Sequence, residues 1–306
     1  MIITRLIGGL GNQMFQYAAG LSLAEARRTV LKLDTTWFRE DPAFEAHNRY
    51  ALSCFNVTEQ FATAEEIDRC RGARLTRGER AALVAARALR LRRFARLHES
   101  AGHWHIPPGH AHYPEFHQQP DGTYLDGMFQ SEKFSAPVSD LLRLHFSFRY
   151  PPQPAAEVIA RKIRENGPSI AIHFRRGDYV KNAAFSAEIG ALGLDYYERA
   201  LALLRSRHPD ATLYIFSDDI EGVEREFRPA GPHVFVRAIR HWHAYDKIRL
   251  ISLCDHAIIS NSTFAWWGAW LNPSPVKTVI APDPWFANSP HDHRDIVPSG
   301  WLRLPR

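Results

Sequence analysis

The feature that most constrains the fold is a regular alternation of helical and strand-like segments in the second half of the chain. It begins after residues 150–155, which contain three prolines, and continues to residue 281. Repeating units of this size predict a doubly wound sheet of parallel strands with helices on both faces. The predicted helices are 156–165, 195–207, 220–227, 244–253 and 263–271, and the predicted strands are 169–174, 212–216, 233–236, 256–259 and 278–281.

The first half of the chain begins with a βαβ pattern. A predicted strand at residues 1–7 leads into Gly8-Gly9-Leu10-Gly11-Asn12, a predicted helix at 13–28 and a second strand at 29–33, closed by Asp34. A chain of 306 residues exceeds the usual size of one hydrophobic core. We therefore predict two α/β domains, residues 1–150 and 151–306, joined by the proline-rich stretch.

Composition and cysteine usage indicate an intracellular protein. No run of residues has the length and apolar character of a transmembrane helix, and the N-terminal sequence lacks the features of a signal peptide. The three cysteines, Cys54, Cys70 and Cys254, are scattered and show neither a disulfide framework nor zinc-ligand spacing. We therefore expect a cytoplasmic location.

The net charge of +5 has a local origin. Ten arginines and one acidic residue lie between Arg69 and Arg96, which leaves 28 basic and 32 acidic residues in the rest of the chain. A basic amphipathic helix in this segment, predicted at 68–98, could bind an anionic membrane surface, or it could simply present a solvated face. No aromatic platform accompanies the arginines, so a nucleic-acid partner is not expected.

Charged residues follow the strand at 169–174 abruptly. His173, Arg175, Arg176 and Asp178 fall within six residues, around Gly177. The carboxyl ends of parallel strands are where open α/β sheets bind ligands, and paired guanidinium groups match phosphate oxygens. This pattern predicts a diphosphate site, and the alternative is a surface turn with ordinary salt bridges.

Two further strand ends carry polar residues. Ser217, Asp218 and Asp219 follow the strand at 212–216, where the acids could bind a ribose or base edge or cap the next helix; capping is the preferred interpretation for Asp219. The run from Ser260 to Thr263 opens a helix, and a helix start with free N–H groups and hydroxyls can bind an anion.

Trp266 and Trp267 lie side by side in that helix. We expect that they do not share one core: either one lines a cleft, or the two are divided between the core and a domain interface.

The N-terminal glycine loop offers a different function. It partly matches a dinucleotide-binding fingerprint, with Asp34 where a ribose-binding acid would lie. Met14, however, occupies the position of the third glycine, which is needed for close helix–strand packing. The loop is better interpreted as one that lets the backbone approach a ligand, with Asn12 and Gln13 as hydrogen-bonding side chains.

Metal binding is an alternative function, because four His-x-His pairs occur, at 103/105, 110/112, 241/243 and 291/293. Two such histidines on a strand share a face, but no third ligand follows at a diagnostic spacing. No Asp-x-Asp sequence is present to hold a divalent ion under a nucleotide-sugar diphosphate. We therefore expect no metal, and a departing diphosphate would be neutralised by arginines and helix N–H groups.

Four ordered blocks together resemble the α-1,2-fucosyltransferases of glycosyltransferase family 11. They are GGLGNQMFQYA at 8–18, HFRRGDY at 173–179, FSDD at 216–219 and SNSTFAWWGAWL at 260–271, and GMFQSEK at 127–133 resembles a further aromatic motif of the family. The resemblance implies a GT-B-like α/β fold in which two Rossmann-like domains face a cleft. It also implies an inverting, metal-independent enzyme without a cofactor.

In such an enzyme GDP-β-L-fucose would bind the C-terminal domain, and a galactose-terminated glycan acceptor would enter from the N-terminal side. The product would be an α-1,2 linkage to the 2-hydroxyl of a β-galactoside, as in bacterial surface polysaccharide or O-antigen synthesis. The alternatives are another fucose linkage, another GDP-sugar, a dinucleotide-dependent oxidoreductase and a non-catalytic glycan-binding module. In the fucosyltransferase interpretation, the arginine block would hold the enzyme at the inner face of the plasma membrane.

The resemblance also implies residue roles. Arg175 would neutralise the departing diphosphate, and Asn12 would lie near the reacting centre. Asp178 would act as the base or orient an arginine, and the departing phosphate is the alternative proton acceptor. The implied donor-binding residues are His173, Arg176, Asp218, Asn261, Ser262 and Thr263, and the acceptor-side residues are Gln13 and Gln130.

Overall fold

The computed structural model describes residues 1–40, 49–72, 103–107, 111–176, 189–237, 243–289 and 292–306. The chain divides into two compact units. Unit 1 comprises Met1–Ser53 and Val57–His145, and unit 2 comprises Cys54–Asn56 and Phe146–Arg306. Each unit contains a sheet of parallel strands, which confirms the predicted α/β class with two Rossmann-like units. The predicted domain boundary lies after residue 150, and the observed boundary lies after His145.

Unit 1 is built on a four-stranded parallel sheet with the order β2-β1-β4-β3. Its strands are β1 (Ile2–Arg5), β2 (Leu31–Asp34), β3 (His103–His105) and β4 (Thr123–Leu125). Its helices are α1 (Leu10–Arg27), α2 (Trp37–Glu40), α3 (Ala64–Arg71) and α4 (Ser139–His145), with 3-10 turns at Leu52–Cys54, Pro114–Gln118, Glu132–Phe134 and Ala136–Val138.

Helix α1 begins three residues before its predicted start because of the glycine loop. Gly8 has a φ of +73°, which a side chain would strain, and Gly9 is the extended N-cap whose carbonyl accepts the N–H groups of Asn12 and Gln13. The close approach of this helix to the sheet occurs at Gly20, where a Cβ would lie 2.7 Å from Leu31 Cδ1. The tight packing that a fingerprint glycine would allow at Met14 is therefore found further along the same helix.

Unit 2 is built on a six-stranded parallel sheet with the order β10-β9-β8-β5-β6-β7. Its strands are β5 (Ser169–Phe174), β6 (Thr212–Ser217), β7 (His233–Phe235), β8 (His256–Ile258), β9 (Val279–Asp283) and β10 (Leu302–Pro305). Its helices are α5 (Pro154–Glu165), α6 (Leu194–Arg205), α7 (Ile220–Glu226), α8 (Ala244–Leu253) and α9 (Thr263–Leu271). The sequence predicts all of these elements except β10, with bounds that agree within two residues.

The expectation for the tryptophan pair is wrong. Trp266 and Trp267 are both fully buried in unit 2, with ring centroids 4.8 Å apart. Trp266 donates its indole N–H to the carbonyl of Ile296, and Trp267 packs edge-to-face on Phe146. Adjacent helical residues can share one core here because α9 is buried on most of its circumference.

Most of the predicted helix at 68–98 lies outside the described residues. It is described only as far as the end of α3, so most of the arginine block has no structural account. Among the described residues, no helix is long and apolar enough to cross a membrane.

Candidate active site

Three polar strand ends meet at the carboxyl edge of the unit 2 sheet. Strand β5 lies between β8 and β6, with Ile172 paired to Ile258 on one side and Phe174 paired to Ser217 on the other. The chain runs from β5 outward through β6 and β7 and returns on the other side through β8. The strand order therefore reverses between β5 and β8, and a reversal of this kind opens a ligand-binding crevice in α/β sheets.

His173, near the carboxyl end of β5, makes a contact across this reversal. It is 5% exposed, and its Nδ1 lies 2.9 Å from the hydroxyl of buried Ser260, which follows β8. Burial lowers the pKa of His173 to about 3, an effect that the Asp218 carboxylate opposes and the Arg175 guanidinium reinforces. His173 is therefore a neutral hydrogen-bonding group at neutral pH.

The two adjacent arginines have different ion-pair partners. Arg175 Nη1 lies 3.0 Å from Asp218 Oδ2, whereas Arg176 Nη2 lies 2.7 Å from a carboxylate oxygen of Glu226 on α7. The backbone N–H of Arg176 also donates to Asp218 Oδ1 at 2.9 Å. Both arginine side chains are partly exposed and make ion pairs, so the choice between a diphosphate site and a surface turn stays a prediction. Asp218 ties the ends of β5 and β6 together.

Lys247 on α8 adds a cation that sequence reasoning missed. Its Nζ donates to the carbonyl of Ser217 at 2.8 Å, and within the described residues the ammonium makes no other hydrogen bond. Burial lowers the pKa of Lys247, with a further lowering from Arg175 and an opposing effect of Asp218. The sequence did not identify Lys247 as a site residue, because it does not show which strand end the predicted helix contacts.

The start of α9 is an incompletely capped helix N-terminus. Ser262 is the N-cap residue and is 6% exposed, yet its side chain accepts no capping hydrogen bond. Within the described part of the chain, the Ser262 hydroxyl makes no hydrogen bond. Thr263 is the first helical residue. Free N–H groups and a buried hydroxyl at a helix start bind anions, aided by the helix dipole.

Asn261 fixes a neighbouring backbone segment. Its Nδ2 donates to the carbonyls of Ile189 and Gly190, each at 3.1 Å, and the Arg306 guanidinium reaches the same two carbonyls. These contacts are structural, and the predicted donor contact of Asn261 stays a prediction. Asp178, the predicted base, lies outside the described residues.

Unit 1 has its own polar pair at a strand-order reversal, between β1 and β4. The Nε2 of Gln130 donates to Asn12 Oδ1 at 3.1 Å, which joins the residues that follow the two strands. Gln130 is 6% exposed, and its Oε1 makes no hydrogen bond to the described residues. Phe129 before it has a φ of +49°, a left-handed conformation that is strained for a bulky residue. Backbone strain of this kind is concentrated at functional sites.

Gln13, in contrast, braces the backbone of unit 1. The side chain is fully buried, and its Nε2 donates to the carbonyls of Gly8 and Arg49, each at 2.8 Å. Its Oε1 accepts the N–H of Ala51 at 2.9 Å. These bonds occupy both amide protons and the carbonyl oxygen of the Gln13 side chain. We therefore do not include Gln13 among the residues proposed to contact the acceptor sugar.

The dinucleotide interpretation loses its ribose-binding acid. Asp34 is fully buried and accepts hydrogen bonds from the Tyr124 hydroxyl at 2.5 Å and the Thr36 N–H at 2.9 Å. The Nη2 of Arg71 lies 3.4 Å from Asp34 Oδ2. The carboxylate is therefore engaged within unit 1 and does not match a ribose ligand at the strand end.

The histidine pair on β3 has hydrogen-bonding partners within unit 1. His103 and His105 share a face, as predicted, with ring centroids 6.2 Å apart. His103 Nε2 pairs with Gln119 Oε1 at 2.6 Å, and His105 Nε2 pairs with the Tyr113 hydroxyl. Among the described residues, no group of three or more potential ligands lies together.

The fold and this edge define a class: a two-unit α/β protein with cationic side chains at a strand-order reversal in unit 2. Residues 110–304 match the family model described as glycosyl transferase family 11. The chain belongs to this family and is a glycosyltransferase.

Three relatives illustrate the similarity. The O-antigen biosynthesis glycosyltransferase WbnK of Escherichia coli is 28% identical over 98% of this chain and 99% of its own length. An alpha-1,2-colitosyltransferase of Escherichia coli is 27% identical over 100% of this chain and 99% of its own. The galactoside 2-alpha-L-fucosyltransferase SEC1 of Bos taurus is 30% identical over 38% of this chain and 33% of its own.

Proposed function

We propose that this chain transfers L-fucose from GDP-β-L-fucose to the 2-hydroxyl of a β-galactoside, with inversion to an α-1,2 linkage. The observation that carries the proposal is the cationic strand-order reversal of unit 2. There, Arg175, Lys247 and the incompletely capped start of α9 surround strand ends that have one shared carboxylate, Asp218. This combination suits a nucleoside diphosphate.

The sugar and the linkage are inferred from the relatives and the motifs. The two Escherichia coli relatives, aligned over nearly the whole chain, are named for O-antigen biosynthesis and for α-1,2 transfer of colitose. The bovine relative is named for transfer to position 2 of a galactoside. Together with the sequence blocks that resemble α-1,2-fucosyltransferases, these names support an acceptor in a bacterial surface polysaccharide.

In the proposed reaction the acceptor 2-hydroxyl oxygen attacks C1 of fucose from the face opposite GDP. The bond from C1 to the phosphate oxygen breaks, and its electron pair remains on the β-phosphate. Arg175 then stabilises the developing negative charge, and Ser262, Thr263 and the first N–H groups of α9 bind the phosphate oxygens. A preorganised donor in a dry site contributes about a hundred- to thousandfold in rate.

The remaining roles are those that the family resemblance implies. Neutral His173 and the Asp218 carboxylate contact the nucleotide, and Asn12 with Gln130 holds hydroxyl groups of the acceptor. The acceptor proton leaves to Asp178 or to the departing phosphate. The cations of unit 2 take the place of a metal ion in this proposal, so we expect no requirement for a divalent cation or a cofactor.

A second candidate donor is a nucleotide-linked colitose, because one relative over the whole chain is a colitosyltransferase. Colitose differs from fucose in lacking the 3-hydroxyl, so both sugars present the same reacting C1. The choice depends on contacts to one hydroxyl group, which the described residues do not assign.

The test is a measurement of GDP release with EDTA present, using GDP-fucose and GDP-colitose in parallel against a panel of β-galactosides. Linkage analysis of the product follows. We expect acceptor-dependent GDP release and an α-1,2 product. A product with another linkage contradicts the regiochemistry, a metal requirement contradicts the charge argument, and no release from either donor contradicts the proposal as a whole.

We further propose that the arginine block between Arg69 and Arg96 holds the enzyme on an anionic membrane. Its composition supports this, with ten arginines against one acid. Co-sedimentation with vesicles containing anionic lipid should fall when Arg87, Arg90, Arg92 and Arg93 are replaced by glutamine. Unchanged co-sedimentation contradicts the proposal.

A further inference from the structure

We infer that Ser260 is a positioning residue that holds His173 in the tautomer with the proton on Nε2, ready to donate to an oxygen of the bound nucleotide. The inference rests on the proposed function for the identity of the ligand. The tautomer itself follows from the hydrogen bonding of the two side chains and is tested separately.

The Ser260 hydroxyl hydrogen-bonds to the His173 ring. Ser260 is fully buried, and His173 Nδ1 lies 2.9 Å from its Oγ. Within the described residues, this is the single hydrogen bond of that hydroxyl. If Nδ1 carried the proton and donated it to Oγ, the hydroxyl proton would be buried without an acceptor, which is costly. Donation from the hydroxyl to Nδ1 satisfies both groups.

The hydrogen bond at Nδ1 determines which ring nitrogen of His173 carries the proton. A neutral ring carries one proton, so a ring whose Nδ1 accepts a hydrogen bond must carry that proton on Nε2. Burial keeps the ring neutral by lowering the pKa of His173 to about 3. Nε2 then becomes a donor that no described residue uses.

The ring that carries this donor lies beside the start of α9. The His173 ring packs against Phe264 in the first turn of α9, with ring centroids 6.1 Å apart. The ring therefore adjoins the helix start where Ser262 and Thr263 are expected to bind phosphate. An Nε2 proton suits the oxygens of a nucleotide, whereas an unprotonated Nε2 would face them with a lone pair. Ser260 thus selects the useful tautomer.

The test is a long-range proton–nitrogen spectrum of the protein labelled with nitrogen-15 in histidine. His173→Gln identifies the resonances by their loss. We expect the wild type to show the Nε2-protonated pattern, Ser260→Ala to shift toward a mixture of tautomers, and Ser260→Thr, which keeps the hydroxyl, to restore the wild-type pattern. An Nδ1-protonated wild type, or an unchanged pattern in Ser260→Ala, overturns the inference.

Calorimetric titration with GDP tests the consequence for binding. Ser260→Ala should weaken GDP binding by about tenfold, the effect of one misplaced hydrogen bond, while Ser260→Thr stays close to the wild type. A tautomer shift without any change in GDP affinity overturns the role in nucleotide binding. If the wild type shows the expected tautomer but binds no GDP, the proposed function fails while the tautomer assignment holds.

Discussion

The two units place different chemistry at equivalent positions of their sheets. In unit 2 the reversal between β5 and β8 is bridged by His173 and Ser260, with Arg175 and Lys247 beside it. In unit 1 the reversal between β1 and β4 is bridged by the neutral amides of Asn12 and Gln130.

The charges near the unit 1 reversal are paired with each other. Arg5, which ends β1, lies 3.4 Å from Asp126, which follows β4. The unit 2 reversal has the cations Arg175 and Lys247 beside it, whereas the unit 1 reversal has neutral amides. Under the proposed function, the first arrangement suits the diphosphate of a nucleotide and the second suits the hydroxyl groups of a sugar.

The largest expected effect comes from Arg175→Lys. A lysine keeps the charge but cannot reproduce the planar fork of a guanidinium on a phosphate, so turnover should fall by about a hundred- to thousandfold. The measurement is GDP release at saturating donor and acceptor. Arg164→Lys on α5, whose exposed guanidinium pairs with Glu157, is the matched control and should keep full activity. Full activity of Arg175→Lys contradicts the assignment of Arg175 to the departing phosphate.

A pair of variants in unit 1 separates bracing from catalysis. Gln13→Ala removes the three hydrogen bonds of a fully buried side chain, so the free energy of unfolding should fall by about 2–3 kcal/mol. Asn12→Ala removes one hydrogen bond to Gln130, so it should lower the melting temperature less than Gln13→Ala and lower acceptor-dependent kcat/KM by about tenfold. Thermal melts and acceptor kinetics measure the two effects. A Gln13→Ala variant that keeps its stability but loses acceptor affinity would show that Gln13 contacts the acceptor and does not brace the backbone.

Periodicity and turn residues predicted much of unit 2. The bounds of β5, α8 and α9 match their predictions because each element is a compact run of one periodicity, ended by a turn or a polar residue. Strand ends also pointed to the candidate site, because the carboxyl edge of a parallel sheet is where α/β proteins bind ligands. Strand β10 was missed because Leu302–Pro305 is short, mostly exposed and lacks an apolar run.

Contacts across long stretches of chain could not be predicted in this way. Gln13 appeared to be a free hydrogen-bonding side chain because its partners, Arg49 and Ala51, lie far along the sequence and carry no motif. Ser260 and His173 are 87 residues apart and meet only because β8 returns beside β5. The order of strands in a sheet decides such pairs, and local sequence patterns do not encode it.

Lys247→Met tests whether the extra cation of unit 2 contacts phosphate or only supports the end of β6. If the ammonium binds the diphosphate, GDP affinity should fall by about tenfold with a smaller salt dependence, while the affinity for guanosine stays unchanged. Calorimetry with both ligands gives the answer, and Lys162→Met on the exposed face of α5 is the control for loss of charge. Equal losses for GDP and guanosine would show that Lys247 supports Ser217 and makes no contact with phosphate.

The smallest expected effect concerns stability in acid and compares buried His173 of unit 2 with half-buried His105 of unit 1. Burial lowers the pKa of His173 to about 3 and that of His105 to about 4, with His103 adding to the latter, whereas an unfolded histidine titrates near its ordinary value of 6.5. Below pH 6.5 the unfolded chain binds protons that the folded chain does not. Each histidine therefore lowers stability by at most about 1.4 kcal/mol per pH unit as the pH falls.

Replacing either histidine by glutamine should flatten the fall in melting temperature between pH 6.5 and 4, and only His173→Gln should still flatten it between pH 4 and 3. The exposed His233→Gln serves as the control and should follow the wild type throughout. Melting curves recorded across this pH range measure the effect. If His173→Gln loses stability in acid as steeply as the wild type, His173 does not stay neutral in the folded protein, and the hydrogen-bonding role given to it in unit 2 is wrong.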